Sequence, residues 1–507
     1  MGLLLGLDIG TSTIKAVLYE PASGNLAVQA SQPTPVEHPS PEQSQHDPEQ
    51  LWDAVCRCLK GIKHEEPIDG LAISSFAEAG LPLDENGLPL FPIIAWYDPR
   101  TSSQAEWWQN QISLEELYLH TGQRLSPSFG VNKFLWIKKH HPEVIAKMCH
   151  WVSSSDYILY KLTGEYATDY SQASRTMLFD QQHLIWPEKM LELAGLRVNQ
   201  LPKICCSGTL VGKITEQAAM QTGLPPGLPC ALGGHDHLCA AFAAGAIQPG
   251  IVVDSMGTSQ STLVVVDQFL TNLEVVRDGF VCYAHVVPNC FILKAGIHAA
   301  GGAIEWLGGL LSAEKDTGIP IDYQKLEDEA AQGVGKTIGP FWLPHFNGSG
   351  TPEVDWNSRA ALIGIRLEHT RGDILRGLWE SQAFWLKHNL EEIRQLSRQQ
   401  LDNIILLGGV TRLNLLNHLK SSILNLPVLL PSLSESAATG AALLAGLGVG
   451  IFKNPQEAVK SLNINIRRID PDLQLNNWYQ PIYQKIYRQL YPNLKELWKQ
   501  MAALEKK

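Results

Sequence analysis

The sequence predicts an α/β protein of about two or three domains, and three observations lead there. Strand-like and helix-like segments alternate along the chain, as they do where helices cover sheets. Its 507 residues suffice for about two or three separate cores. One supersecondary unit also occurs twice, half a chain apart. In the first copy Leu3-Leu4-Leu5-Gly6-Leu7 leads into Asp8-Ile9-Gly10-Thr11-Ser12, followed by Ile14-Lys15-Ala16-Val17-Leu18. In the second, Ile251-Val252-Val253 leads into Asp254-Ser255-Met256-Gly257-Thr258-Ser259, followed by Thr262-Leu263-Val264-Val265-Val266. Apolar runs this continuous suit strands buried on both faces.

The turn between the two runs has its own chemistry. Glycine lets the backbone approach a ligand closely. Successive N–H groups, with the Thr and Ser hydroxyls, form a concave lining that suits an anion. An Asp at the strand end can hold Mg²⁺ through water, because that ion keeps several waters when it bridges phosphates. One such turn alone reads as an ordinary hairpin turn. Two in matching contexts read as a clamp on a polyphosphate.

The remaining elements follow in order. Residues 51–62 are expected to form a helix and 70–75 a strand. Residues 81–94 are expected to form a hairpin turning at Asp84-Glu85-Asn86-Gly87. Residues 101–162 are helix-rich, with Trp107, Trp108 and Trp136 at amphipathic spacings. Pro225-Pro226-Gly227-Leu228-Pro229 precedes a strand at Cys230-Ala231-Leu232. Gly245-Ala246-Ile247-Gln248-Pro249-Gly250 separates a helix from the second repeat, which puts a domain boundary there: 1–246 and 247–507. Gly335-Lys336-Thr337 is a loop and no P-loop, since no strand precedes it. Ile404-Ile405-Leu406-Leu407 leads through Gly408-Gly409 into a helix over 413–424. That corner serves either tight strand–helix packing or close approach of an adenosine. A closing helix is expected from Trp478 onward.

Composition narrows the function. Apolar content of 45% with 18% charged residues is ordinary for a soluble enzyme. A net charge of −11 argues against nucleic acid or an anionic membrane as partner. Nine scattered cysteines without a Cys-x-x-Cys suggest free thiols in a reducing cytoplasm. The N-terminal leucines are expected to be a strand and not a signal peptide. The longest near-uncharged stretch, 437–451, is too short and glycine-rich to span a bilayer.

The tract most suggestive of chemistry is Leu232-Gly233-Gly234-His235-Asp236-His237. Asp236 reads as a helix N-cap, as part of a metal site, or as a general base poised to accept a hydroxyl proton. No further ligands stand at a suggestive spacing, which disfavours the metal.

With these stations in order, the chain resembles the FGGY family of carbohydrate kinases, within the actin-like ATPase superfamily. Ser128-Phe129-Gly130-Val131-Asn132-Lys133-Phe134-Leu135-Trp136-Ile137 is similar to the family's first signature, with Gly130 departing from Pro, Ser or Thr. Ala360–Ile365 and Asp373-Ile374-Leu375-Arg376-Gly377-Leu378-Trp379-Glu380 echo the second, with Gly377 departing from Ala or Ser. Glu435-Ser436-Ala437-Ala438-Thr439-Gly440-Ala441-Ala442 looks like the late small-residue helix.

The resemblance implies two RNase H-like domains with ATP and sugar in the cleft between them. It implies Asp8 for Mg²⁺, Gly10, Thr11, Ser12 and Lys15 on the first phosphate loop, and Gly257, Thr258 and Ser259 on the second. It further implies Gly301 and Gly302 at another nucleotide-side turn, Gly408 and Gly409 beside the adenosine, Asn414 near the adenine, and Asp236 as catalytic base. Sugar contacts are expected from Glu78, Trp96, Asp98, Ser128 and His237. Trp96 is as readily a core residue as a sugar platform.

In the loop after strand 70–75 this chain has Ala77-Glu78 where glycerol kinases have Arg-Glu, which leaves space for a substrate larger than glycerol. Glu78 is read as a carboxylate whose loss would weaken sugar binding and leave stability alone. The expected activity is ATP-dependent phosphorylation of a ketopentose, a hexulose or a similar polyol. No obvious cationic pair marks a carboxylate site, which disfavours a gluconate-type sugar-acid kinase. A retired kinase acting as a sugar sensor is opposed by the intact Asp8, Asp236 and both loops. A homodimer is compatible with all of these.

Overall fold

The computed structural model describes residues 2–311 and 322–505. Two mixed sheets organise it. The first runs in the order Leu210–Lys213, Pro229–His235, Ile68–Ser75, Leu3–Ile9, Thr13–Glu20, Asn25–Pro33. Leu3–Ile9 sits inside it, antiparallel to Thr13–Glu20 and parallel to Ile68–Ser75. Every residue of that strand is buried, as its unbroken apolar run predicts. The second sheet runs Val281–Ala284, Phe291–Ile297, Gln260–Val266, Ile251–Met256, Asn403–Leu407, Val428–Pro431, Ile466–Ile469. Ile251–Met256 repeats the first pattern, antiparallel to Gln260–Val266 and parallel to Asn403–Leu407. Each parallel pair needs a crossover. Pro48–Lys60 supplies the first, with Asp47 accepting from the Gln50 N–H at 2.8 Å as N-cap. The helix Arg371–Ser397, started by a Thr370/Asp373 capping box, precedes Asn403–Leu407 in the second.

Each sheet has its own apolar core, and a third cluster fills the space between them, with Leu4, Leu238, Phe242, Val253, Val265 and Leu443 among its members. The helix Ser436–Gly448 lies in that space. Its small residues follow from the crowding. A Cβ on Gly440 would collide with the carbonyl of Cys239, and one on Gly6 with the carbonyl of Ala438. The departure at Gly377 has the same cause, for a Cβ there would strike the carbonyl of Pro340. At Gly130 a Cβ would meet ordinary contacts of 3.6 Å, so glycine is not required.

Two expectations need correcting. Residues 81–94 form only a short hairpin: Asp84 builds the turn by accepting from Asn86 N and Leu88 N at 2.8 Å each, Leu83 bridges Pro89 and Leu90 N donates to Pro82 O at 2.9 Å, while the strand Gly80–Leu83 takes His150–Ser153 as its partner on the other side. Pro89 and Pro92 remove N–H donors from the returning segment. The closing helical region begins earlier than Trp478, as Leu473–Ile482, and continues through a π-helical turn at Tyr483–Tyr487 into Arg488–Glu505. Among the described residues no helix is long and apolar enough to cross a membrane.

Candidate active site

Between the sheets lies a cleft of about 550 Å³. Thr11 of the first Gly-Thr-Ser turn and Ser259 of the second both line it, and so do Asp236, Glu78, Trp96, Ser128 and His237. The structure therefore brings both loops, the candidate base and four of the five candidate sugar contacts to one cavity.

The two repeats have diverged in their acids. Asp254 is fully buried and spent: Lys420 Nζ lies 2.5 Å from Oδ2, and Gln260 Nε2 and Thr262 Oγ1 donate to Oδ1 at 2.8 and 3.0 Å. Asp8 keeps one oxygen uncommitted. Ser74 Oγ donates to Oδ1 at 2.7 Å, and no donor among the described residues reaches Oδ2. Burial first, and Asp236 second, push the Asp8 carboxyl up to about 7. A half-free carboxylate with an unmet need for positive charge fits Mg²⁺, which takes one or two carboxylates and keeps its waters. Among the described residues no group of three or more metal-ligating side chains competes with that site.

Behind the second loop, the helix Gly301–Leu311 abuts it directly. Ala300 N and Gly302 N donate to Thr258 O at 2.8 and 3.1 Å, and Gly301 N to Gly257 O at 3.0 Å. A Cβ on Gly301 would collide with that carbonyl. A Cβ on Gly257 or Gly409 would meet nothing within 4 Å, so both border open space. Gly408, at φ 93°, packs on the Met256 carbonyl. Asn414 opens the helix Asn414–Leu424, and its Oδ1 accepts from Arg467 at 2.8 Å. Lys15 is turned to Glu435, 2.7 Å away.

Asp236 is the first residue of the helix Asp236–Ala243, following the strand Pro229–His235. It is not the cap. Its Oδ1 accepts from the adjacent His237 N–H at 2.6 Å and lies 3.3 Å from His235 Nε2. Burial raises the carboxyl to about 7, with Glu78 adding to the rise and Lys294 opposing it. The backbone here is braced from below. Asp169 accepts from Ser171 Oγ at 2.6 Å, and Ser171 Oγ in turn accepts from His235 N at 2.8 Å. His237 is exposed to the cleft by surface area, but the protein packed around the cleft mouth and the nearby Lys294 hold its imidazole below the usual value, so it is neutral at pH 7.

Glu78 is no free loop carboxylate. At φ 65° it occupies the left-handed region, which costs a non-glycine residue about 1–3 kcal/mol. Its Oε1 accepts from Arg175 Nε at 2.8 Å and also from Nη2. Arg175 donates to Gln123 Oε1 at 3.1 Å and stacks on Phe129 and Tyr283. An arginine thus reaches Glu78 after all, from 97 residues further along the chain. Lys294 lines the same cleft. The sequence showed no obvious cationic pair for a carboxylate, yet Arg124, Arg175 and Lys294 all line the cleft. Arg175 lay in a polar stretch with no motif, whereas Lys294 did leave a signal, a lone charge inside the apolar strand Phe291–Ile297.

Asp98 does not reach the cleft wall. It caps Pro99–Thr101, accepts from Ser44 N at 2.6 Å and holds the Arg100 guanidinium at 2.7 Å, its side chain fully buried. Trp96 is on the wall, its indole N–H 3.0 Å from Thr11 Oγ1. The signature lysine, Lys133, is completely buried and donates to the carbonyls of Trp96 at 3.3 Å, Pro127 at 3.2 Å and Ser128. It ties together the two loops that carry Trp96 and Ser128.

Two sheets of one repeated topology, each with a Gly-Thr-Ser turn opening on a shared cleft, define a phosphotransferase of the actin-like ATPase fold. Models of the FGGY family of carbohydrate kinases match residues 3–243 with the N-terminal domain and 252–449 with the C-terminal domain. The chain belongs to that family, and it is a carbohydrate kinase. It is 30% identical to an L-fuculokinase of Haemophilus influenzae, over 84% of this chain and 90% of that one. It is 26% identical to a xylulose kinase of Staphylococcus epidermidis, over 95% and 94%. The crystal structure of the xylulose kinase from Rhodospirillum rubrum superposes with a TM-score of 0.89 at 26% identity, covering 98% of this chain and all of that one.

Proposed function

We propose that the protein transfers the γ-phosphoryl group of ATP to a hydroxyl of a ketopentose, a hexulose or a similar polyol, with Asp236 as general base. The observation that carries this reading is the meeting of Thr11, Ser259, Asp236 and Glu78 around one cavity. Asp236 takes the proton of the hydroxyl, whose oxygen attacks phosphorus in line. The amides and hydroxyls of Gly10-Thr11-Ser12 and Gly257-Thr258-Ser259 hold the phosphates from both sides. Gly408, Gly409 and Asn414 border the nucleoside, with Gly301 and Gly302 bracing the second loop. Asp8 holds Mg²⁺, which offsets charge on the phosphoryl oxygens when bound. Glu78, Trp96, Ser128 and His237 contact the sugar. Among the named first-half sites, Lys15 serves the clamp indirectly, through its bridge to Glu435.

A sugar-acid substrate is the second reading, favoured by Lys294 and Arg175 in the cleft. A coupled ADP-release screen over neutral ketoses, polyols and sugar acids decides between them. ADP release with none of these would overturn the kinase assignment. We place the enzyme in the cytoplasm, in keeping with nine unpaired cysteines.

Asp8→Asn is expected to lower turnover and to raise the Mg²⁺ concentration needed for half-maximal rate about tenfold or more, with sugar KM little changed. A Mg²⁺ titration of wild type and variant reads this directly, and coincident curves would remove Asp8 from the metal site.

A further inference from the structure

The cleft draws its charged side chains chiefly from the first half of the chain: Glu78, Arg124, Arg175 and Asp236. The second half contributes one ammonium, Lys294. Along Phe291–Ile297, Leu293, Ala295 and Ile297 enter the second core. Strand alternation then turns residues 292, 294 and 296 the other way, and Ile292 joins the cluster between the sheets. Lys294 is the polar exception on that inward face. A lysine carries three donors, yet Glu78 and Asp236 act on it only through space, and among the described residues no side chain pairs with its ammonium. Glu78 is occupied by Arg175, and Asp236 Oδ1 by the His237 N–H. Lys294 is half-buried on the cleft wall and has no hydrogen-bonding partner among the described residues, so its ammonium is free to meet a ligand that enters the cleft.

We propose that Lys294 is a further substrate-binding residue, donating to a pair of neighbouring oxygens on the sugar so that the bound substrate joins the second lobe to the first. The inference rests on the kinase reading. The oxygens are those of a ketose carbonyl and its adjacent hydroxyl, or of a carboxylate. Arrival of the sugar gives the ammonium its partner and closes the cleft over Asp236, which ties closure to the presence of an acceptor and limits transfer to water.

Lys294→Met keeps the stem and removes the charge; Lys294→Arg keeps the charge. With the best panel substrate, Lys294→Met should raise sugar KM about 10- to 100-fold, leave ATP KM within about twofold and not lower the thermal midpoint. Lys294→Arg should recover most of the loss. A sugar-acid substrate would give a drop above about 100-fold, because the bond is then charge-assisted on both sides. A sugar KM in Lys294→Met within about twofold of wild type overturns the proposal. Absence of turnover in the wild type would instead strike at the kinase reading. In that case a sugar-dependent rise in thermal midpoint, lost in Lys294→Met, reads Lys294 without catalysis, and a rise retained in full overturns the proposal.

Discussion

Asp236→Asn is expected to lower kcat by about 10²–10⁴-fold while sugar and ATP KM stay near wild type. The amide is nearly isosteric. It can still accept the His237 N–H that now lies 2.6 Å from Oδ1, and the backbone below it remains pinned through Ser171 and Asp169. What it loses is the capacity to take a proton. The pH profile carries the same signature. Burial raises the Asp236 carboxyl to about 7, and only the ionised form is a base, so kcat/KM should be full above that pH and fall as pH drops through it. Asp8 is also raised to about 7, so at limiting Mg²⁺ two protons should govern the fall. Saturating Mg²⁺ should hold Asp8 ionised and leave a one-proton limb. A variant that keeps more than half of wild-type turnover at saturating sugar would take Asp236 out of this role.

The skeleton of the site was legible because each part of it is local in sequence. A strand end, a turn and the next strand lie within about ten residues, so Asp8 to Ser12 and Asp254 to Ser259 could be read directly. Gly408 stood out because it follows an apolar strand at a strand–helix corner, and the Met256 carbonyl does crowd it; Gly301 and Gly302 were reached only through the family resemblance. What the sequence hid was long-range pairing. Asp254 repeats Asp8 in sequence, but Lys420, a helix away, neutralises it. Asp98 stands in a substrate-like tract, but Arg100 and Ser44 consume it. Glu78 looked free because its arginine comes from a different element. The hairpin at residues 81–94 is shorter than expected for a related reason: Pro89 and Pro92 leave its return few N–H groups beyond that of Leu90, and the ladder of Gly80–Leu83 is completed by His150–Ser153, from another element.

That hidden pairing sets the second large effect. Glu78→Ala is expected to lower the thermal midpoint as well as to raise sugar KM, contrary to the effect on binding alone that the sequence suggests. Both partners are about nine-tenths buried, with side-chain exposures of 10% for Glu78 and 9% for Arg175. Removing one member of a buried pair typically costs about 3–5 kcal/mol, because the other charge is left without compensation. Arg175 would keep Gln123 and the faces of Phe129 and Tyr283, and relief of the left-handed backbone at residue 78 cannot come from alanine, which is no better there than glutamate. A net cost of about 3 kcal/mol corresponds to roughly 6–12 °C for a unit of this size. The double variant Glu78→Ala/Arg175→Met separates the two roles. It should regain much of the midpoint, since no unpaired charge remains, yet keep the raised sugar KM of about 10- to 100-fold, since the carboxylate that meets the hydroxyls is still missing. If Glu78→Ala melts with the wild type, the pair does not form in solution; if the double variant recovers sugar KM along with stability, Glu78 braces the cleft and does not touch the sugar.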